Sequence, residues 1–390
     1  MLHFNSKNSR KASSSVFVVL FALGLLVGGL GTYYINTIQI TNLKGQVSDL
    51  QNQVASLGGT QNQTVDNQTI TILQNGTSLV DIYGNVSTSV VLIEGDLTND
   101  SGVQGSGFVY DYSGRMVILT NYHVVESTIS LSVTFSDGNG YAATVLGTDP
   151  YSDLAVVSVP SAPAYELKPL AIVSSSSLRV GDEVIAIGNP YGLVGSLTTG
   201  VVSALGRSEQ ADFTSSFSIA NLIQTSTPIN PGNSGGPLLN ALGEVVGITN
   251  SIVSNSQGVG FAVPSNTILR ELSSLIATGS YSGHSYLGIQ VEDMSYDLAQ
   301  LEHLNVTYGV WIPSGTGQTV ISPSSPANGK LQEGDVIIAL NGTRIQNNDG
   351  LASYLEAKTL PNDLLVVTVM RNNASTNVDV TLGTRPAATT

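Results

Sequence analysis

Residues 232–237 read Gly-Asn-Ser-Gly-Gly-Pro, so the serine at position 234 stands in a glycine-rich turn. Such a turn presents a serine hydroxyl to an approaching carbonyl, and it can aim backbone N–H groups at the oxyanion that forms. Taken alone, the pattern is only a loop motif. Two stretches precede it, Thr-Asn-Tyr-His-Val-Val at 120–125 and Ser-Asp-Leu-Ala-Val at 152–156. A histidine, an aspartate and a serine therefore follow one another along the chain.

The order His123, Asp153, Ser234 is that of chymotrypsin-type triads. Between about residues 78 and 263, short apolar runs alternate with turn signals, and no long amphipathic helix interrupts them. Frequent short strands with glycine-rich turns are typical of an all-β barrel or sandwich. The sequence therefore predicts a mainly β body around these three residues.

This body resembles the trypsin-like domain of the HtrA (Deg) serine proteases. The resemblance implies a chymotrypsin/trypsin-like double β-barrel, with six strands in each barrel and the active site in the cleft between them. Residues 207–222 resemble the activation-loop region of that family. The matching pieces are 105–108, 120–125, 149–155, 178–182, 186–192, 199–203, 223–225 and 261–264.

The resemblance also implies a role for each site residue. Ser234 is similar to the nucleophile, His123 to the base that takes its proton, and Asp153 to the carboxylate that orients His123. The backbone N–H groups of Gly232 and Ser234 would form the oxyanion hole, and Asn233 lies between them.

Two assignments leave alternatives open. Asp149 competes with Asp153, although Asp149 precedes a proline and could simply initiate a turn. By resemblance, the specificity pocket is lined by Ile229, Ile252 and Val253. None of these is acidic, so we expect a small apolar P1 residue; the alternative is that all three are ordinary barrel core.

A helix and a short hinge are predicted after this body. Residues 264–279 begin with Pro-Ser, carry an apolar face and end at Gly279, which are helix start and stop signals. The helix would close a protease domain at 78–280. A further helix is expected at 348–358, with strands at 364–371 and 378–382.

Residues 284–386 resemble one PDZ domain of the HtrA type. The signatures are Tyr-Leu-Gly-Ile at 286–289, then 322–327 and 331–342. In such a domain a peptide C-terminus adds as a strand while backbone N–H groups hold its carboxylate. The alternative is that Leu287 and Ile289 are ordinary core residues beside a strand edge that binds no peptide. The residues implied in peptide binding are Tyr286, Leu287, Gly288 and Ile289.

The N-terminal region predicts a membrane anchor. Residues 16–35 are apolar and uncharged, and twenty residues span roughly the 30 Å of a bilayer core. Basic residues within 1–15 place that end in the cytoplasm and the body outside, as a single-pass protein of the cell membrane. A cleaved signal peptide is the alternative, although the run is long for one.

A possible short coiled coil and a polar linker fill residues 36–77. Apolar residues at 43, 47, 50, 54 and 57 follow a heptad over little more than two repeats. A single amphipathic helix or a polar stalk would fit equally well. The family resemblance suggests a homotrimer or a higher homo-oligomer.

Composition excludes several classes of function. The net charge is −14, with no basic run beyond the N-terminus, so the body repels nucleic acid. The absence of cysteine excludes disulfides and thiolate zinc sites. The four histidines do not have the spacing of metal ligands. We therefore expect no metal, no cofactor and no nucleic-acid partner.

The leading hypothesis is an ATP-independent serine endopeptidase that acts by an acyl-enzyme mechanism in extracytoplasmic protein quality control. It would degrade unfolded or damaged proteins, with the PDZ domain recruiting peptide C-termini or regulating activity. The alternative is a chaperone or peptide-sensing binding protein in which proteolysis is secondary. A purely structural surface protein would leave the three site residues without a role.

Overall fold

The computed structural model describes residues 41, 44–45, 78–98, 101–189, 195–210, 217–230, 232–250, 258–315 and 317–388. The predicted anchor at 16–35, and all of 1–77 except Thr41, Lys44 and Gly45, lie outside these residues. Within the described residues, no helix has both the length and the apolar run that crossing a bilayer requires. The elements below belong to one compact unit, Gln74–Thr390.

The first domain opens with a short helix and a seven-stranded antiparallel sheet. The helix α1, Leu79–Val86, is capped by Ser78, whose hydroxyl accepts the N–H of Asp81. The central strands are rich in apolar residues, and consecutive side chains on both faces of these strands are buried. The strands are β1 Val90–Asp96, β2 Gly102–Tyr112, β3 Arg115–Thr120, β4 Ser130–Thr134, β5 Gly140–Ala142, β6 Thr144–Asp149 and β7 Leu154–Ser158. Their order is β5-β4-β1-β2-β3-β7-β6.

Six further strands close into a barrel in the order β10-β13-β12-β11-β8-β9. They are β8 Glu183–Gly188, β9 Ser196–Gln210, β10 Ser218–Thr225, β11 Pro237–Leu239, β12 Val245–Asn250 and β13 Gly260–Pro264. The mainly β prediction is confirmed. The first half differs from the expected six-stranded barrel. It is a sheet of seven strands, in which β5 and β6 are the two outer strands.

The predicted helix after the barrel is present. It is α2, Ser265–Thr278, and it ends at Gly279, whose φ of +81° is the left-handed conformation that glycine adopts readily. Short 3₁₀ turns lie at Ser87–Ser89, Tyr122–Val124 and Ser175–Ser177.

The C-terminal domain has a five-strand path, β15-β16-β17-β19-β20, with β18 paired to β17 and a separate β14-β21 pair. Its strands are β14 Ser285–Tyr286, β15 Glu292–Asp293, β16 Val310–Trp311, β17 Val336–Leu340, β18 Thr343–Arg344, β19 Leu364–Arg371, β20 Ala374–Thr381 and β21 Gly383–Thr384. Its helices are α3 Tyr296–Leu301 and α4 Asn348–Lys358.

The α4 helix and the β19 strand have the predicted bounds, whereas β20 begins four residues earlier than expected, at Ala374 rather than 378. The cause is a tight turn at Asn372 and Asn373, whose φ values are +49° and +61°. Two consecutive residues with positive φ make a two-residue hairpin turn, so pairing resumes at once with Arg371 opposite Ala374.

Polar contacts join the C-terminal domain to the β9–β10 hairpin of the barrel. Arg207 pairs with Asp349 at 3.1 Å, and the Ser353 hydroxyl donates to the Gly206 carbonyl at 2.9 Å. Both Asp349 and Ser353 belong to α4, so this helix is the element of the C-terminal domain that faces the hairpin.

The packing of α2 on β6 allows no side chain at Gly147. A Cβ at this position would lie 2.1 Å from the carbonyl oxygen of Leu275. We therefore expect Gly147→Ala to destabilise the protein by about 1–3 kcal/mol, because the helix must shift away from the strand. Thermal or urea unfolding monitored by circular dichroism measures the change.

Gly84→Ala is the matched control. Gly84 is exposed within α1, and a Cβ there meets nothing within 4 Å. Alanine is the better helix former, so this variant should gain about 0.5–1 kcal/mol. A loss of stability at Gly84, or no loss at Gly147, would contradict this account of the packing.

Candidate active site

Strand pairing brings His123 and Asp153 together. His123 lies on the 3₁₀ turn that directly follows β3, and Asp153 lies directly before β7. These strands are antiparallel, with Thr120 opposite Ala155, so the end of one lies beside the start of the other. The Nδ1 atom of His123 lies 2.8 Å from Oδ2 of Asp153, and the His123 backbone N–H donates to Oδ1 at 2.9 Å.

The Asp153 carboxylate is fully buried and receives hydrogen bonds from both sheets. In addition to His123, the Nδ2 of Asn250 donates to Oδ2 at 2.5 Å. Asn250 ends β12 of the closed barrel, so one carboxylate links the two halves of the domain. The φ of Asp153 is +50°, a conformation that aspartate tolerates better than most residues.

The surroundings of His123 act on its pKa in opposite directions, and their net effect favours the protonated form. Burial opposes the charge and would lower the pKa, but the charge and hydrogen bond of Asp153, together with the charge of Glu126, outweigh burial. The net effect raises the pKa of His123 above its ordinary value of 6.5. An imidazole of raised pKa is a stronger proton acceptor once it is neutral.

Ser106 fixes the turn that carries Ser234. Its N–H donates to the Ser234 carbonyl at 2.7 Å, and its hydroxyl donates to the Gly232 carbonyl at 2.5 Å. The same hydroxyl accepts the N–H of Asn189 at 2.8 Å. Because Ser106 is itself fully buried, its two bonds to the turn fix where the turn lies, and the third bond ties Ser106 to the residue that follows β8.

The glycines of the turn are required by close contacts. Gly235 has a φ of +86°, and a Cβ there would lie 2.1 Å from the Ser106 carbonyl oxygen and 2.3 Å from Oγ1 of Thr120. Gly232 has a φ of +98°. Its carbonyl accepts the Ser106 hydroxyl, and its N–H donates to no acceptor among the described residues.

The structure separates the two candidate aspartates by their contacts. Asp149 accepts the N–H of Tyr151 with Oδ1 at 3.0 Å, and its Oδ2 lies 2.6 Å from Nε2 of His284. Asp149 thus initiates a turn and faces the C-terminal domain, while Asp153 faces His123.

One of the three predicted pocket residues can be located. Ile229 is half-buried and packs against the core of the closed barrel. Gly260 leaves room for it, because a Cβ there would lie 2.6 Å from Cγ1 of Ile229. Ile252 and Val253 lie outside the described residues.

The predicted peptide-binding residues line a groove of about 460 Å³. The residues Tyr286, Leu287, Gly288 and Ile289 form one wall, and α4 forms another. Among the described residues, no acceptor takes the N–H groups of Leu287, Gly288 and Ile289. Ser208 and Ser218, from the β9–β10 hairpin, also border the groove.

Sequence reasoning assigned no role to Ser106, and it did not name Asn250. Ser106 lies 126 positions from the carbonyl that it holds, and Asn250 lies 97 positions from Asp153. Residues so far apart in the sequence form no local motif, so a sequence pattern does not reveal their contact. The Gly-Ser-Gly-Phe piece at 105–108 was the available signal for Ser106, because it forms part of the family resemblance.

Among the described residues, one group of side chains has the spacing of metal ligands. It comprises Asp149, Glu271 and His284, whose ligand atoms lie within 4.8 Å of one another. Two of these atoms, Nε2 of His284 and Oδ2 of Asp149, are 2.6 Å apart and form a hydrogen bond.

Comparison with known proteins gives two family matches. Residues 105–248 match the trypsin-like peptidase domain, and residues 285–382 match the PDZ domain. HhoA of Synechocystis sp., a serine protease by name, is 42% identical over 271 residues, which cover 67% of each chain.

Two more relatives extend the comparison. A DegP-like periplasmic serine endoprotease of Chlamydia pneumoniae is 40% identical over 292 residues, which cover 73% of this chain but 56% of that protein. The chain thus spans little more than half of that relative. The solved structure of the HtrA-type protease AlgW with a tripeptide has a TM-score of 0.64 and 30% identity, and the match covers 80% of this chain and 99% of that one.

The environment of His123 yields a test by nuclear magnetic resonance. The Cε1 proton of His123 should titrate with a pKa above 6.5, and its signal can be assigned by its loss in His123→Ala. Glu126→Gln should lower that pKa, because it removes one of the negative charges that favour the imidazolium.

Glu333→Gln provides the control, since Glu333 is exposed and lies in the C-terminal domain. This variant should leave the titration of His123 unchanged. A pKa of His123 at or below 6.5 in the unaltered protein would contradict the described environment.

Proposed function

This chain belongs to the HtrA family of trypsin-like serine endopeptidases with one PDZ domain, and we propose that it degrades unfolded or damaged proteins outside the cytoplasm. The observation that carries the proposal is the buried Asp153 bound to His123, on the same domain as a serine turn that Ser106 holds in place. The chain carries no nucleotide-binding motif, so the degradation is ATP-independent.

Acylation begins when Nε2 of His123 takes the proton of the Ser234 hydroxyl and the serine oxygen attacks the scissile carbonyl carbon. The negative charge that develops on the carbonyl oxygen is stabilised by the N–H groups of Gly232 and Ser234, with Asn233 between them. Asp153 holds Nδ1 of His123 and stabilises the imidazolium.

The imidazolium of His123 then protonates the leaving amine, and the carbon–nitrogen bond breaks to leave an ester on Ser234. Water hydrolyses the ester by the same route, with His123 accepting the proton of water and returning a proton to Ser234. The base must be neutral for attack, so activity should rise as the pH increases through the raised pKa of His123.

Substrate preference follows from the specificity pocket. Ile229, with Ile252 and Val253, would give an apolar wall without a carboxylate, so basic P1 residues find no partner there. Small apolar P1 residues such as valine or alanine are therefore preferred.

The groove along 286–289 receives peptide C-termini. Three consecutive N–H groups that donate to no acceptor among the described residues suit the terminal carboxylate of a peptide. The apolar residues of α4 along the groove suit the last side chain of that peptide. A relative of known structure carries a tripeptide. The PDZ domain then recruits substrate or regulates activity.

Location and assembly are proposed from sequence and relatives. The apolar run at 16–35, preceded by basic residues, anchors the chain with its body outside the cytoplasm. A periplasmic relative supports the location of the catalytic body. The family resemblance favours a homotrimer, which light scattering of the purified protein measures.

The peptidase activity has a direct test. Ser234→Ala should lower the rate of casein degradation by roughly four to six orders of magnitude, because the nucleophile is lost. It should also abolish labelling by a fluorophosphonate probe. Ser161→Ala is the control, since Ser161 is an exposed serine in the same domain; it should behave as wild type.

The same digests test the pocket. Mass spectrometry of the casein fragments should show cleavage after small apolar residues, and a predominance of arginine or lysine would exclude the proposed pocket.

Equal degradation by Ser234→Ala would reject the peptidase. Suppression of client aggregation by that variant, with no wild-type hydrolysis, would support the chaperone instead.

The groove is tested with peptides that end in an apolar residue. A free C-terminal carboxylate should bind about 10–100 times more tightly than the same peptide with an amide end, because charge-assisted hydrogen bonds are lost. Isothermal titration calorimetry with the two peptides measures both affinities. Equal affinities would show that these N–H groups do not hold the carboxylate.

A further inference from the structure

A second pocket, of about 270 Å³, lies where the start of α2 meets the end of α4. It shares no described lining residue with the peptide groove. Two of its lining residues, Arg270 and Lys358, are basic, and none of the described residues that line it is acidic. In a chain whose net charge is −14, such a lining is unusual, and it favours an anionic ligand.

The start of α2 adds positive potential to this pocket. The first N–H groups of a helix have no partner within the helix, and they carry a partial positive charge. Pro264, which precedes this helix of 14 residues, provides no side-chain cap. Oxyanions bind at helix ends of this kind.

Two buried polar groups of α2 have no hydrogen-bond partner at this pocket. Thr267 lines the pocket and is 5% exposed, and its hydroxyl bonds to no described residue. The buried Nε of Arg270, three positions later on the same helix face, likewise has no acceptor in the described part of the chain. Buried donors without acceptors are costly. A ligand rich in acceptor oxygens would satisfy both groups.

Asn266 prepares two further donors in the 3₁₀ turn that borders the pocket. Its Nδ2 donates to the Ser176 hydroxyl oxygen at 2.6 Å, and its backbone N–H donates to the Ser175 hydroxyl oxygen at 3.2 Å. The Ser174 hydroxyl donates to Oδ1 of Asn266 at 3.0 Å and so fixes the amide. Ser175 and Ser176 therefore accept through their oxygens, and neither hydroxyl proton is taken by an acceptor among the described residues.

The charge available to a ligand comes from Lys358. The Nη2 of Arg270 donates to Oε1 of Glu271 at 2.7 Å and also to Glu356, so carboxylates outside the pocket lining balance its charge. Lys358, the last residue of α4, is exposed and forms no ion pair with any residue that the structure describes. One uncompensated cation beside several neutral donors suits a single anionic group.

We propose that this pocket binds a small oxyanion of the phosphate type, either inorganic phosphate or the phosphate group of a small ester. A tetrahedral oxyanion presents several acceptor oxygens, which match donors that come from different elements. Leu178, Leu205 and Ile223 also line the pocket and would contact the organic part of an ester. The site does not depend on the proposed peptidase activity. The donors are Ser175, Ser176, Thr267, Arg270 and Lys358.

Binding is measured by isothermal titration calorimetry of the whole chain with inorganic phosphate and with phenyl phosphate, at constant ionic strength. Both should bind. Tighter binding of phenyl phosphate would identify an ester as the ligand, whereas equal or tighter binding of inorganic phosphate would identify the free ion. Both should also raise the Tm, because a ligand of the folded state stabilises it, and sodium chloride at the same ionic strength should not.

Lys358→Gln tests the charge of the pocket. It should weaken phosphate binding about tenfold or more, because a charge-assisted contact is lost. Since Lys358 is exposed, the variant should fold as wild type does. Lys330→Gln is the control, because Lys330 is an exposed lysine of the same domain outside the pocket; it should keep the wild-type affinity.

Thr267→Val separates a ligand contact from a structural one. It should weaken phosphate binding about tenfold, because a hydrogen bond to a charged acceptor is lost. In phosphate-free buffer its Tm should equal or exceed that of wild type, since the hydroxyl has no partner there to lose. Thr278→Val, at the other end of α2, is the control and should bind phosphate as wild type does.

Three results would overturn the proposal. The first is the absence of calorimetric binding by both compounds, with no rise in Tm beyond that in sodium chloride. The second is an unchanged phosphate affinity in both Lys358→Gln and Thr267→Val, which would place the anion elsewhere on the protein. The third is a lower Tm of Thr267→Val in phosphate-free buffer, which would show that the hydroxyl already has a partner.

Discussion

The buried carboxylate of Asp153 joins the two halves of the protease domain, and the arrangement of the site depends on this connection. It accepts hydrogen bonds from His123 of the seven-stranded sheet and from Asn250 of the closed barrel. An unpaired buried carboxylate is costly, so the loss of either donor should destabilise the domain. His123 and Asp153, the candidate catalytic pair, therefore lie at the joint between the two halves of the domain.

The serine turn is held by backbone groups rather than by large side chains. Ser106 uses its N–H and its hydroxyl to hold two carbonyls of the turn, and Gly235 leaves no space between the strands and the turn. The turn therefore cannot shift without breaking several buried hydrogen bonds. Such rigidity is what the proposed oxyanion hole at Gly232 and Ser234 would require.

The family was predicted from the matching pieces between residues 105 and 264, and the mainly β fold from short apolar runs separated by turn signals; both predictions are confirmed. The α4 helix and the β19 strand were also predicted at their bounds, because capping residues and alternating apolar residues are local signals. The seven strands of the first sheet, the early start of β20 and the roles of Ser106 and Asn250 were missed. These depend on pairing between distant strands, and a single sequence does not record which strands pair.

The seam between the two domains combines charged groups around His284, Arg270 and Arg207 with the rings of Tyr151, Tyr281 and Phe217. Water can solvate the charged groups if the domains part, whereas the rings would lose part of their packing. For a protein proposed to work among unfolded chains, the charged groups therefore limit the share of apolar surface that an open joint would present.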